Sequence, residues 1–181
     1  MNERGYTIIE LLAVVSILVA VTSIIAALIT QTLRGGNKTS VTNHVAQNGN
    51  YVTSVITNSI ISAEDIVSIG GVEVDNCTQN PTGSSIEFYM SRSKGTILYE
   101  CSNDTISSNS ASLIDTASLK IDTANASACY FTCSQANNDP YPPPIIEFGF
   151  ILTQKSDTAL FEGRATAPFK TSVLMRNYKK K

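Results

Sequence analysis

The sequence predicts an α+β chain, with one long N-terminal helix packed through its second half on an antiparallel β-sheet head. Three observations carry that reading. From Leu11 to Ile29 the chain runs LLAVVSILVAVTSIIAALI, without charge, glycine or proline. Between Val41 and Ile60, apolar residues recur at helical spacing in otherwise polar sequence. From Gly70 onward, short alternating runs are separated by turn residues.

The 181 residues carry 13 Lys+Arg against 15 Asp+Glu, a net charge of −2. That balance excludes a basic footprint for nucleic acid and an acidic tail. Only 15% of residues are charged, against about a quarter in a typical soluble chain. Ser, Thr and Asn number 54, which excludes a Lys-rich bundle or coiled coil. One histidine, His44, excludes a multi-His metal site and a His relay elsewhere. The length fits one domain, or one domain plus a membrane segment.

The uncharged run, at about 1.5 Å per residue, makes a helix near 28 Å, roughly one hydrocarbon thickness. A cleaved secretory signal has a shorter apolar core, about 7–15 residues, after a positive start. Here the start is MNERG, with one Arg and one Glu. Glu10 stands at the apolar edge, and a plain single-pass anchor does not explain it. A carboxylate entering a bilayer is costly, and such residues are usually paired and functional. Its local alternative is a helix-start residue that complements the macrodipole from the headgroup region.

The stretch Gly5-Tyr6-Thr7-Ile8-Ile9-Glu10-Leu11-Leu12 resembles the processing site of type IV pilins and pseudopilins. That pattern is a short polar leader ending in Gly, then an aromatic residue, an aliphatic run, and Glu at the fifth mature position. Tyr6 replaces the commoner Phe and keeps the ring. The resemblance is strong over residues 1–35 and architectural beyond. It implies cleavage after Gly5 by a prepilin peptidase and N-methylation of the new amine on Tyr6. An α-amino group has a pKa near 8 and is mostly cationic at neutral pH. In an apolar filament core an unpaired Glu10 would be costly, and a neighbouring subunit's amine would neutralise it. The pair would then set subunit register.

Val41, Val45, Val52, Val55, Ile56 and Ile60 form the apolar stripe of the helix's second half, which is expected to continue to about Asp65. Gly35-Gly36 weakens the helix by about 1 kcal/mol per glycine, so a kink or short break is expected there, and Gly49 is a second weak point. The stripe supplies the cover that a one-sided sheet needs. In the sheet, Ile86, Phe88 and Met90 share one face, as do Ile97, Tyr99 and Cys101. So do Ile146, Phe148, Phe150 and Leu152, and the final run Thr171 to Arg176 puts Val173 and Met175 together. The expected divisions are a leader 1–5, a membrane or filament-core helix 6–33, its amphipathic continuation 34–66, and a sheet head 67–181. This is the pilin-like architecture. The ending from Phe169 to Asn177 resembles the last strand of minor pilins and of J-type minor pseudopilins. Its plain alternative is an edge strand with an exposed Lys179-Lys180-Lys181 tail.

Cys77, Cys101, Cys129 and Cys133 all follow the membrane helix, on the side that the family topology places outside the cytoplasm, where disulfides persist. Four cysteines allow three pairings. Bridges 77–101 and 129–133 are expected, since each closes a short local loop. A four-thiolate zinc site would prefer close CxxC pairs, and no CxxC is present for redox work either. Asn137-Asn138-Asp139 could offer oxygens to calcium, but one carboxylate among amides before a proline reads as a turn. Pro140, Tyr141 and Pro142 to Pro144 read as a stiff connector or a partner-facing loop. Asn37, Asn76, Asn103 and Asn125 open N-x-S/T triplets, which this composition produces by chance. His44 reads as a solvated helix position. No nucleophile–base–acid constellation stands out, so the expectation is a non-enzyme without cofactor or metal.

The resemblance implies a structural filament subunit, minor rather than major, with a minor pseudopilin of a secretion or competence system as the near alternative. Its partners would be the prepilin peptidase, other pilin or pseudopilin subunits and the cytoplasmic membrane, with no nucleic acid. It would sit in the membrane with its head extracytoplasmic, then enter a surface or periplasmic filament. A non-polymerising single-pass protein and an enzyme on a membrane stalk are the competing classes.

Overall fold

The structure is a computed structural model that describes residues 7–91, 93–121, 128–136, 142–155 and 165–179. One helix, α1 (Ile8–Ser62), leads the chain. At about 1.5 Å per residue it is some 80 Å long. It runs unbroken through Gly35 and Gly36, so the expected break is absent. Both neighbouring segments are already helical, and extending a formed helix through a weak pair needs no new nucleus. The helix ends at Ser62 rather than Asp65. Ala63 is extended, and the Glu64 N–H donates to Tyr89 O in the sheet at 2.9 Å.

The buried face of α1 is Val45, Gly49, Val52, Ile56 and Ile60, with Val41 and Val55 packed at its margin. Burying each branched side chain contributes about 1.5–3 kcal/mol. Gly49, a weak point by propensity, is where the helix backbone meets the Phe169 ring. A Cβ there would lie 2.0 Å from Phe169 Cζ. That ring is stacked on Phe150, with centroids 5.1 Å apart, so it has little room to yield. Gly49→Ala is therefore expected to destabilise the head by about 1–3 kcal/mol through overpacking. Gly35→Ala, which meets nothing within 4 Å, should stabilise the helix by up to about 1 kcal/mol. Thermal denaturation of the detergent-solubilised chain checks both signs.

The strands are β1 (Asp65–Ile69), β2 (Val72–Glu73), β3 (Thr82–Gly83), β4 (Ser85–Ser91), β5 (Gly95–Ser102), β6 (Thr105–Ser108), β7 (Ala111–Ser112), β8 (Leu119–Ile121), β9 (Cys129–Ser134), β10 (Ile145–Gln154) and β11 (Thr166–Leu174). They form two antiparallel sheets rather than one. The first has the order β2-β1-β4-β5-β6-β7, and the second β11-β10-β9-β3, with β8 also on β10. The chain crosses between them from β3 to β4. Gly83 passes so close to Gly70 that a Cβ on it would lie 2.5 Å from the Gly70 backbone.

The expected inward faces are found. Ile86, Phe88, Met90 and Tyr99 are buried, as are Ile146, Phe148, Phe150, Leu152, Val173 and Met175. Ile97 and Cys101 are half-buried beside Tyr99. Tyr99 OH and Ser59 Oγ, 2.6 Å apart, tie the first sheet to the helix. On the edge strand β11, Met175 N donates to Pro144 O at 3.0 Å and Ala165 O accepts from Gln154 N at 2.9 Å. Odd-numbered residues therefore bond to β10, and the missing N–H of Pro168 falls on the open edge, where proline is tolerated.

After β11 the chain returns to the end of α1. Asn177 Nδ2 donates to Ile61 O at 3.1 Å, and Lys179 Nζ lies 3.0 Å from Glu64 Oε1. The helix has no basic residue of its own in its last turn, so the tail brings a donor and a cation to its negative end. Lys179 is thus paired, not a free tail residue.

The disulfide pairing differs from the expected one. The bridges are Cys77–Cys133, with Cα atoms 5.4 Å apart, and Cys101–Cys129, at 6.2 Å. Bridges 77–101 and 129–133 are not formed. Cys129 and Cys133 lie on one extended strand, β9. Four residues of strand span about 13 Å, well beyond the roughly 7 Å that a disulfide can reach. Cys101–Cys129 joins β5 of one sheet to β9 of the other, and Cys77–Cys133 fastens the segment before β3 to the same strand.

Candidate functional site

Residues 8–37 of α1 are exposed on every side. The large apolar side chains among them include Ile8, Leu11, Ile17, Leu18, Ile24, Leu28 and Leu33. By length and composition the helix can cross a membrane, and none of its apolar window is buried. Its hydroxyls are turned back on the helix. Ser16 Oγ donates to Leu12 O at 2.7 Å, Ser23 Oγ to Ala20 O at 2.8 Å, and Thr30 Oγ1 to Ala26 O at 2.8 Å. Polar groups satisfied this way can enter an apolar phase without stranded donors.

Glu10 is exposed, in the first turn of α1. Thr7 is the N-cap: extended, with its Oγ1 accepting from the Glu10 N–H at 3.4 Å. Thr7 and Glu10 hold the T-x-x-E spacing of a capping box, a sequence signal for Thr7 that is readable without coordinates. Gly5 and Tyr6 lie outside the described residues, as do Asn137, Asn138 and Asp139. The structure therefore places Glu10 at the free end of the projecting helix, far from the four cysteines, which lie in the head.

A second feature emerges on the same helix. Ala13, Ser16, Ala20, Ser23, Ala27 and Thr30 recur at alternating steps of three and four, forming a line of small side chains. Small residues allow close helix approach within membranes.

Two polar clusters lie on the head. On the outer face of the second sheet, Glu147 Oε1 accepts from Tyr130 OH at 2.9 Å and lies 2.8 Å from Lys170 Nζ. Gly149, opposite Tyr130, leaves room for the ring; a Cβ there would lie 2.9 Å from it. Lys170, then Tyr130, hold the Glu147 carboxyl below its ordinary range. Glu147 raises the Lys170 ammonium in turn. A depressed carboxyl contributes stability above the ordinary carboxylate pKa and loses it as pH falls through its folded value. Lys170→Met is expected to move this acid-induced loss to higher pH, by a small amount because both groups are solvated. Urea midpoints followed from pH 7 to pH 3 would check it.

At the other cluster, His44 Nε2 lies 4.0 Å from Asp115 Oδ2, with both side chains substantially exposed. The Ser118 hydroxyl, then the Ala117 N–H, hold Asp115 below its ordinary range. His44 is thus a solvated helix residue beside a turn. Among the described residues, no group of three or more His, Cys, Asp or Glu is arranged to hold a metal ion. No family model matches this chain, and neither does any curated protein or solved structure.

Proposed function

We propose that the chain is a structural subunit of a type IV pilus or pseudopilus-like filament. It is cut after Gly5 by a prepilin peptidase, methylated on Tyr6 and assembled through its N-terminal helix. One observation supports this above the others: an exposed apolar helix projects from a sheet head and carries a lone carboxylate at its free end, five residues after Gly5. A simple anchor needs the apolar length but not that carboxylate. The line of small residues from Ala13 to Thr30 gives the helix a face suited to close packing on other helices. Before assembly the same helix holds the subunit in the membrane, with the head outside the cytoplasm, where both bridges persist.

Determining the N-terminus of the membrane-extracted protein tests the reading. A chain beginning at methyl-Tyr6 supports it. A chain beginning at Met1, or cut after the apolar run, overturns it. Gly5 has no side chain, so main chain can approach it closely. Gly5→Val is expected to leave full-length precursor in the membrane, visible as one uncut species by mass spectrometry.

A further inference from the structure

We infer that the outer edge of β11 docks an extended segment of another protein, which adds to the second sheet as an antiparallel strand along Lys170, Ser172 and Leu174. The edge belongs to the head, so the inference stands whether or not the chain polymerises. β11 ends the second sheet, and among the described residues no strand pairs with its far side. It is nine residues long. The other strands that end a sheet, β2, β3 and β7, have two residues each. The odd-numbered residues of β11 bond to β10. Lys170, Ser172 and Leu174 therefore each turn a main-chain N–H and C=O outward, and their side chains are exposed.

A long open edge is a template for strand addition, and proteins commonly blunt it with proline or lysine. Pro168 blunts the start of this one. Lys170 does not guard the rest, because its Nζ is drawn back across the sheet to Glu147 on β10, at 2.8 Å. The side chains beside the edge set the chemistry of the partner. Leu174 is exposed next to its cross-strand neighbour Ile145, which is exposed too, so an added strand gains by laying an apolar side chain there. Lys170 lies on the same face, and an ammonium has three donors, so it can take a second carboxylate. Read from Leu174 toward Lys170, the partner segment is an apolar residue, then Ser or Thr, then an acidic residue, at alternate positions. A second copy of this chain does not suit the edge. Antiparallel pairing of β11 with β11 is related by a two-fold axis normal to the sheet, and that axis reverses α1, which lies against the sheet. The two membrane-capable ends would then point in opposite directions and could not enter one membrane.

The test is fluorescence anisotropy of the labelled peptide Lys-Thr-Val-Thr-Ser-Thr-Glu-Thr-Lys with the full chain in detergent. Its valine, serine and glutamate fall beside Leu174, Ser172 and Lys170. The wild type should bind it. N-methylation of the peptide's serine, whose N–H faces β11, should weaken binding about tenfold, the effect of one ladder bond lost with its acceptor left unpaired. N-methylation of the threonine that follows, whose N–H faces away, should leave binding unchanged. Ser172→Pro removes the matching donor from β11 and no bond to β10, and should weaken binding to a similar degree. Ser172→Ala keeps the donor and should bind as the wild type does. No binding at millimolar peptide overturns the proposal. So does equal binding of the two methylated peptides, or loss of binding in Ser172→Ala, since either shows that a main-chain ladder is not what holds the peptide. Should Ser172→Pro fail to fold, the two methylated peptides decide alone. A wild-type dimer in sedimentation that Ser172→Pro dissolves would put a second copy on the edge and overturn the choice of partner.

Discussion

Glu10→Gln is expected to enter the membrane as the wild type does and to fail at incorporation into filaments. The uncharged run from Leu11 to Ile29 is untouched by the change, so insertion is preserved. Locally the carboxylate sits in the first turn of a helix already capped by Thr7. Its favourable interaction with the helix dipole is worth about 0.3–1 kcal/mol. If that were its whole role, Glu10→Gln would assemble nearly normally. On the proposed filament reading, the substitution would instead leave a neighbour's Tyr6 amine buried in a water-poor core without its counter-charge. Losing one partner of a buried pair costs about 3–5 kcal/mol, several times the local term, so the pairing mechanism predicts a large defect. Co-assembly with the other subunits is the measurement, comparing Glu10→Gln, Glu10→Asp and wild type. Quantitatively normal incorporation of Glu10→Gln would sink the pairing mechanism and leave Glu10 as a helix-start residue.

Removing the outer disulfide, as Cys77→Ser with Cys133→Ser, is expected to destabilise the head by about 3–4 kcal/mol, from the loop-closure entropy of a long loop. The two bridges are nested: 101–129 lies within the 56-residue separation of 77–133. Both end on β9, which pairs with β10 on one side and β3 on the other. Loss of the outer bridge frees the segment before β3, and the Cys77 N–H loses its fixed approach to Gln135 Oε1, now 3.1 Å away. Peptide mapping without reduction should recover Cys77 with Cys133 and Cys101 with Cys129. Denaturant midpoints of the paired-serine variant should fall by a correspondingly large step. A stability unchanged within about 1 kcal/mol would show that the bridge constrains little.

Much of this fold is legible in the sequence because it is written in local periodicity. A nineteen-residue run without charge, glycine or proline can only be satisfied as a helix in an apolar phase, since each backbone group must find its partner within the segment. The stripe Val45, Val52, Ile56 and Ile60 names the face that the head covers. The alternation of Ile146, Phe148, Phe150 and Leu152 names the inner face of β10 before any partner strand is known. Glu10 stands out for the same local reason: it is a charge where the surrounding sequence has none.

Contacts between distant residues were decided by the tertiary structure alone. Gly49 reads as a weak point in a helix until Phe169, on another element, is found against it. The cysteine pairing follows strand geometry rather than loop length. The alternation of Cys129, Phe131 and Cys133 already marks an extended strand, and an extended strand cannot fold back to join residues four apart. Which distant cysteine each one meets is set by how the elements come together: β3 beside β9 brings Cys77 to Cys133, and the first sheet against the second brings Cys101 to Cys129. The sequence by itself determined a membrane-capable helix, its covered face and a β-rich head, because those properties depend on neighbours three or four positions away, or two. The split into two sheets, the nested bridges and the docking of Asn177 and Lys179 on the helix end were decided only in three dimensions, because each joins residues that share no local pattern.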